Sequence, residues 1–183
     1  MEALLQYDIA ICKAVNAVSL PILDGLMYLV SLLGEWGALL WIICLVVLFT
    51  DREKGKTAAF LCILTVIVSD QVVGKLLKHL WNRPRPYMYL EGIKSLGHQW
   101  TNSSFPSGHA NAIVAGTVIL SYFYPSLRWP LVIFSLLTCI SRIYCGMHHP
   151  LDVAAGALTG LAVGFLFLYL YRMKGKRALA EPS

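Results

Sequence analysis

Leu151–Tyr171 reads LDVAAGALTGLAVGFLFLYLY, and its only charge, Asp152, stands at the start. A helix rises about 1.5 Å per residue and the hydrocarbon core of a bilayer is about 30 Å thick, so a crossing needs about 20 mostly apolar residues. This run meets that requirement. Gly156, Gly160 and Gly164 recur at four-residue spacing, with Ala154, Ala155 and Ala162 nearby. At that spacing small residues share a helix face, where a neighbouring backbone can come close. The stretch therefore predicts a membrane-spanning helix packed tightly inside a bundle.

Comparable runs lie upstream: Gly37–Thr50 with its preceding turn, Thr57–Trp81, and Ala110–Tyr124 with the PSGH segment before it. Trp129–Tyr144 is shorter but holds no acidic residue, and Leu20–Leu33, shorter again and containing Asp24, reads as a first, tilted span. Composition agrees. Apolar residues make up 57% of the 183 residues and charged ones 14%, against about 25% charged in a soluble domain. In residues 2–17 the apolar Leu4, Leu5, Ile9, Ile11, Cys12 and Val15 recur at helical spacing around Asp8 and Lys13, the pattern of an amphipathic helix at a membrane surface. Glu2 and Asp8 stand where a cleavable leader would be basic. The expected fold is all-α: one domain over residues 1–183, an integral membrane bundle of six transmembrane helices with an N-terminal interfacial amphipathic helix.

The formal net charge is +5, but no basic stripe interleaved with aromatics is present, so nucleic acid is not expected as a partner. The cations gather instead in the Asp51–Lys56 loop (Arg52, Lys54, Lys56) and in the tail (Arg172, Lys174, Lys176, Arg177). Both belong in the cytoplasm by the positive-inside rule. Four helices separate them, an even number, so the count is self-consistent. It puts Asn82–Phe105 and Cys145–Pro150 together on the extracytoplasmic side of a multi-pass cell-membrane protein. Cys44, Cys62 and Cys139 fall in apolar runs, and neither they nor Cys12 and Cys145 have CxxC or metal-ligand spacing. They read as packing residues.

Three polar clusters interrupt the apolar helices on that side: Lys78-HLWNRP-Arg85-Pro86, Pro106-Ser107-Gly108-His109, and Ser141-Arg142-IYCGM-His148-HPL-Asp152. Ionisable groups near bilayer depth are costly and usually face a partner or a wet cavity. Lys78, Arg85 and Arg142 would repel one another in an empty pocket, and a phosphate dianion would neutralise them. Ser107 and Gly108 precede a helix, where free backbone N–H groups meet the positive end of the dipole. Pro106 restricts the turn before it, and Gly108 lets backbone approach a ligand. His148 and Asp152 are four apart, with Pro150 suited to a first helical turn. That spacing lets the carboxylate accept a hydrogen bond from one ring nitrogen and leaves the other as a nucleophile aimed at phosphorus. His109 would protonate the leaving oxygen and later activate water.

These clusters resemble the signature of the type 2 phosphatidic acid phosphatase superfamily, KxxxxxxRP, PSGH and SRxxxxxHxxxD, with every defining position present and the signature region spanning residues 75–152. The resemblance implies a membrane lipid phosphate phosphatase with His148 as nucleophile, Asp152 as its orienter and His109 as acid. It implies that Lys78, Arg85, Ser107, Gly108 and Arg142 bind phosphate, with no metal or other cofactor. The partners it implies are a membrane lipid phosphate and the bilayer, with no obligate protein partner. Undecaprenyl diphosphate is the favoured substrate, since an outward-facing site suits carrier-lipid recycling; phosphatidylglycerol phosphate and phosphatidic acid are the alternatives. The vanadium haloperoxidases of the same superfamily are soluble, unlike this chain. A non-enzymatic anion or lipid translocator would keep the cations but need neither histidine.

Other residues read more plainly. His79 and His149 match no signature position and are expected at a surface or interface, and His98 in a solvated loop. Arg83 stands in the same Arg-Pro context as Arg85 but at the wrong distance from Lys78. Asp24, Glu35 and Asp70 are expected to pair with interior cations or to sit at the interface, outside catalysis. Tyr87, Tyr89 and Trp100 fit an interfacial aromatic belt, and the same rings could guide a lipid tail.

Overall fold

The computed structural model describes residues 2–34 and 38–180. Helices α1 (Glu2–Ala17), α2 (Pro21–Gly34) and α3 (Ala38–Thr50) precede α4 (Arg52–Ile67), which continues through a π-helical turn (Val68–Gly74) into α5 (Lys75–Leu80). After the short α6 (Pro86–Tyr89) and a long loop come α7 (Gly108–Phe123), a 3₁₀ turn (Pro125–Leu127), α8 (Arg128–Tyr144) and α9 (Pro150–Ala180). No strand occurs among the described residues. Glu35 and Gly37 lie outside them, as do the side chains of the tail cations Lys176 and Arg177.

Among the described residues Glu53–Leu80, Pro125–Tyr144 and Pro150–Lys174 are long and apolar enough to cross a membrane. A fourth span results if α1 and α2, bent by 119°, are taken together. The protein is thus an all-α, membrane-associated helical bundle with several apolar helices. Its outer faces carry large apolar side chains in the open, Ile22 at 89% exposure and Phe49 at 80% among them. In water such a surface would drive aggregation; in lipid it is the ordinary solvent-facing surface.

Helix α7 is the axis of the bundle. Ala110, Ile113, Ala115, Ile119 and Leu120 are buried, and the main apolar core joins this helix to Leu40, Cys44 and Val47 of α3 and Ala58, Ala59 and Cys62 of α4. Against this axis packs the expected glycine face of α9. A Cβ at Gly156 would lie 2.3 Å from the Ser107 carbonyl oxygen, one at Gly160 2.4 Å from that of Asn111, and one at Gly164 2.9 Å from Val118. Only a hydrogen atom fits between two backbones that close, so the glycines set the separation of the helices. A backbone hydrogen bond from Ser107 N to Asp152 O, 2.9 Å, closes the pair at one end. That end, where α5 stops and α7 and α9 start, holds the polar clusters.

One expectation needs correction. Leu20–Leu33 and Gly37–Thr50 were expected as separate crossings of opposite sense, but α2 and α3 descend in the same sense. Asp24 meets Tyr144 at the C-terminal tip of α8, Ser31 meets Arg142, and Gly34 packs on Thr138 farther along. Leu40 then packs on Gly116 midway along α7, and Asp51 accepts from Tyr124 at the far end. Helix α1 fits the expected surface helix. It is helical over the expected residues, its buried stripe is Asp8, Cys12 and Asn16, and Leu4, Tyr7 and Ile11 are exposed. Periodicity locates an amphipathic helix without saying which face meets protein, and here the apolar face is the one left for lipid.

Gly160→Val is expected to wedge α9 off α7 and destabilise the protein by about 1–3 kcal/mol, the usual cost of overpacking. A lowered unfolding midpoint in detergent would show it. Leu158→Val, on the lipid-facing side at 66% exposure, should leave the midpoint unchanged.

Candidate active site

The ends of α5, α7 and α8 enclose a cavity of about 100 Å³ lined by Asp70, Lys78, Arg85, Trp100, Asn102, Gly108, His109, Ala112, Arg142 and His148. Six residues expected at the site from sequence, Lys78, Arg85, Gly108, His109, Arg142 and His148, therefore meet around one space. The space has room for a phosphoryl group. Ser107 and Asp152 stand behind its wall. Ser107 caps α7, its Oγ accepting from Ala110 N at 3.5 Å, and is fully buried.

His148 is placed by the end of α8. Gly146 takes φ of +71°, a left-handed conformation suited to glycine, and turns the chain back on itself. Met147 N and His148 N both then bond the Arg142 carbonyl, at 3.1 and 3.2 Å. The imidazole Nδ1 lies 2.7 Å from the Ser104 carbonyl oxygen. A carbonyl can only accept, so Nδ1 carries the proton and Nε2 keeps its lone pair. Nε2 is 3.3 Å from Arg85 Nη1 at the cavity. Burial first, and then Arg85 and Arg142, hold the His148 pKa well below its ordinary 6.5, so the ring is uncharged at neutral pH.

The expected hydrogen bond from His148 to Asp152 is therefore replaced. Asp152 Oδ2 is 3.9 Å from His148 Nδ1, beyond hydrogen-bond reach. It accepts instead from His149 N at 2.9 Å and His149 Nδ1 at 3.1 Å, while Oδ1 accepts from Arg83 Nη1 at 2.7 Å. The i, i+4 spacing was a sound reason to pair His148 with Asp152, but His148 lies before the first turn of α9, where that spacing does not hold. The acceptor is supplied by a loop 44 residues earlier in the chain, and no motif marks a backbone carbonyl.

His149, expected at a surface or interface, is fully buried, its Nε2 2.9 Å from the Tyr89 hydroxyl. Tyr89 thus holds a histidine, and Tyr87 donates to the Trp100 carbonyl. His79 and His98 are exposed, as expected. Arg85 is held by Asn102, through Nε to the backbone oxygen at 3.1 Å and Nη2 to Oδ1 at 2.6 Å, and by the Met147 carbonyl at 3.2 Å. Burial lowers its pKa, and the guanidinium stays charged.

His109 opens α7 with its buried Nε2 lacking a hydrogen-bond partner among the described residues. Asp70, placed by the π-helical turn, lines the cavity and accepts from Gln71 at 2.6 Å. Inserted π turns often mark functional sites. A Cβ at Gly108 would lie 2.7 Å from Asp70 Oδ1, so this glycine makes room for the carboxylate as well as for any ligand. Among the described residues no group of three or more His, Cys, Asp or Glu is arranged to hold a metal ion.

Residues 59–176 match the model of the PAP2 superfamily. The chain belongs to this family. An undecaprenyl-diphosphatase of Sulfolobus acidocaldarius is 32% identical over 87% of this chain and 76% of its own. Among solved structures, the Aquifex aeolicus LpxE superposes with a TM-score of 0.76 at 30% identity, covering 87% of this chain and 93% of that one. A PAP2-type phosphatidylglycerolphosphate phosphatase from Bacillus subtilis superposes with a TM-score of 0.77 at 28% identity, covering 94% and 88%. This PAP2 chain is a hydrolase, a multi-pass membrane lipid phosphatase acting on a phosphomonoester or diphosphate lipid.

The tautomer is directly testable. In ¹⁵N-histidine spectra of the phosphate-free protein, His148 is expected to show a protonated Nδ1 and a bare Nε2. The pattern should persist at pH 6, where an ordinary imidazole of pKa about 6.5 is mostly protonated. Arg85→Lys should lower turnover on the order of 10²–10³-fold, as loss of one preorganised donor does, because one ammonium cannot serve Asn102, Met147 and His148 together.

Proposed function

We propose that this chain removes the terminal phosphate of a lipid diphosphate at the extracytoplasmic face of the membrane through a phosphohistidine on His148. The observation that carries the reading is the bare Nε2 of His148, facing a phosphoryl-sized cavity whose cations are Lys78, Arg85 and Arg142. In the first step the Nε2 lone pair attacks phosphorus and the bond to the lipid-side oxygen breaks, with His109 giving that oxygen a proton. The three cations, with the α7 N-terminus at Ser107 and Gly108, balance charge on the equatorial oxygens. In the second step His109 takes a proton from water, whose oxygen attacks phosphorus and releases phosphate from His148.

The size of the cavity supports a substrate whose lipid part stays outside it, in the bilayer. Undecaprenyl diphosphate, giving undecaprenyl phosphate and phosphate, is the favoured substrate and agrees with the activity in the name of the Sulfolobus relative. Phosphatidylglycerol phosphate is the alternative and agrees with the activity for which the Bacillus subtilis phosphatase is named; phosphatidic acid is the third. Helices α1 and α2 pack on α8 and the loop after it, which supports reading residues 1–183 as one domain.

The basic residues at the start of α4 and in the tail share the end opposite the cavity, so the positive-inside rule supports an outward-facing site. The crossing count we infer is five rather than the expected six, because α2 and α3 form one descent. That places α1 on the same face as the cavity.

Phosphate release in detergent from undecaprenyl diphosphate, phosphatidylglycerol phosphate and phosphatidic acid tests the reaction and ranks the substrates. His148→Ala should abolish turnover, and wild-type activity in that variant would remove the proposed nucleophile. His109→Ala should cost about 10²–10⁴-fold. Vanadate should inhibit and a chelator should not. For the topology, a cysteine at Ser19 should react with an impermeant maleimide in intact cells and one at Lys54 only after permeabilisation. Labelling of position 19 only after permeabilisation would restore six crossings.

A further inference from the structure

The buried stripe of α1 grips the loop that carries His148 at successive points. Asn16 Nδ2 donates to the Tyr144 carbonyl at 2.7 Å, Cys12 Sγ lies 3.9 Å from the His148 carbonyl, and Asp8 Oδ1 accepts from Leu151 N at 2.8 Å. Asn16 also ties down the outer loop, bonding Lys94 O at 2.9 Å and Lys94 N at 2.8 Å. At one end of the stripe the contact becomes ionic. Asp8 Oδ2 pairs with Arg83 Nη2 at 2.5 Å, and Arg83 Nη1 pairs with Asp152 Oδ1 at 2.7 Å. Asp8 is 3% exposed and Asp152 0%.

Two buried carboxylates repel unless a proton or a cation lies between them, and a guanidinium can hold one on each amino group at once. Arg83 does this, which gives the Arg83-Pro84 pair a role outside the cavity. The trio carries a net charge of −1, set behind His148 and opposite in sign to the cations in front of it. When phosphorus bonds to Nε2, the ring with its proton on Nδ1 gains positive character, and a negative group 3.9 Å away stabilises it. We propose that Asp8 and Arg83 are positioning residues for the reaction, holding Asp152 and the His148 loop in place, so that the N-terminal helix is part of the catalytic apparatus. The proposal rests on His148 being the nucleophile.

The test compares Asp8→Asn, Arg83→Gln, Arg83→Lys and the double variant Asp8→Asn/Arg83→Gln as full-length proteins in detergent. Turnover is normalised to the number of sites that bind vanadate, which removes any misfolded fraction from the comparison. Each of the first two should lower kcat on the order of 10–100-fold, the scale of a small misplacement at a reacting centre, with KM changed less than about twofold. Arg83→Lys, keeping charge but not the fork, should recover part of the loss. The double variant should be no slower than Arg83→Gln alone, because the two act through one ion pair. Wild-type kcat per vanadate site in Asp8→Asn and Arg83→Gln, or losses that multiply in the double variant, would overturn the proposal. His148→Ala in the same assay separates the two readings. Activity surviving in His148→Ala removes the nucleophile and this proposal with it, whereas an inactive His148→Ala beside a fully active Asp8→Asn removes this proposal alone.

Discussion

Helices α7 and α9 lie so close that glycine alone fits at Gly156 and Gly160, and the rest of the site follows from that contact. The approach brings the start of both helices to one depth, joined by Ser107 N and Asp152 O. His109 then stands on one helix N-terminus and Asp152 on the other, with His148 on the chain just before it. In lipid there is little hydrophobic force to draw helices together, so close van der Waals packing through small residues carries much of the association. A stripe that looks purely structural therefore sets the distance between the two histidines.

Around that contact the charges are sorted by position. Cations face the cavity, where an anion can balance them, while the carboxylates of Asp8 and Asp152 are withdrawn behind His148 and bridged by Arg83. The sorting keeps the His148 ring uncharged without a carboxylate in hydrogen-bond contact, since the Ser104 carbonyl holds its proton on Nδ1. A carbonyl fixes the tautomer as well as a carboxylate does but does not raise the basicity of the ring as strongly. Asp70 is the exception, a carboxylate at the cavity wall, and it sits where Lys78 is near and Gly108 leaves room.

The bilayer reverses the usual sense of an amphipathic helix in α1. In a soluble protein its leucines would be buried and Asp8 would meet water. Here the apolar residues have lipid to face, and Asp8, Cys12 and Asn16 find their partners in the protein. Polar contacts of this kind are specific in a way that apolar ones are not, because each needs a partner at a fixed distance and angle.

The apolar runs, the glycine face of α9 and the three polar clusters were all legible in the sequence, because each is a local pattern with a period or spacing set by helix geometry. The same holds for Pro150 at the start of α9 and Ser107 at the cap of α7, as backbone chemistry at a helix terminus depends on near neighbours. What the tertiary structure alone decided are contacts across long stretches of chain: Ser104 with His148, Asp8 with Arg83, Tyr89 with His149, and the common descent of α2 and α3. Backbone carbonyls have no sequence identity, and an ion pair 75 residues apart has no spacing to read. The residue types present were determined by the chain, while the partner of each buried polar group was chosen by which helices could approach closely enough to satisfy it.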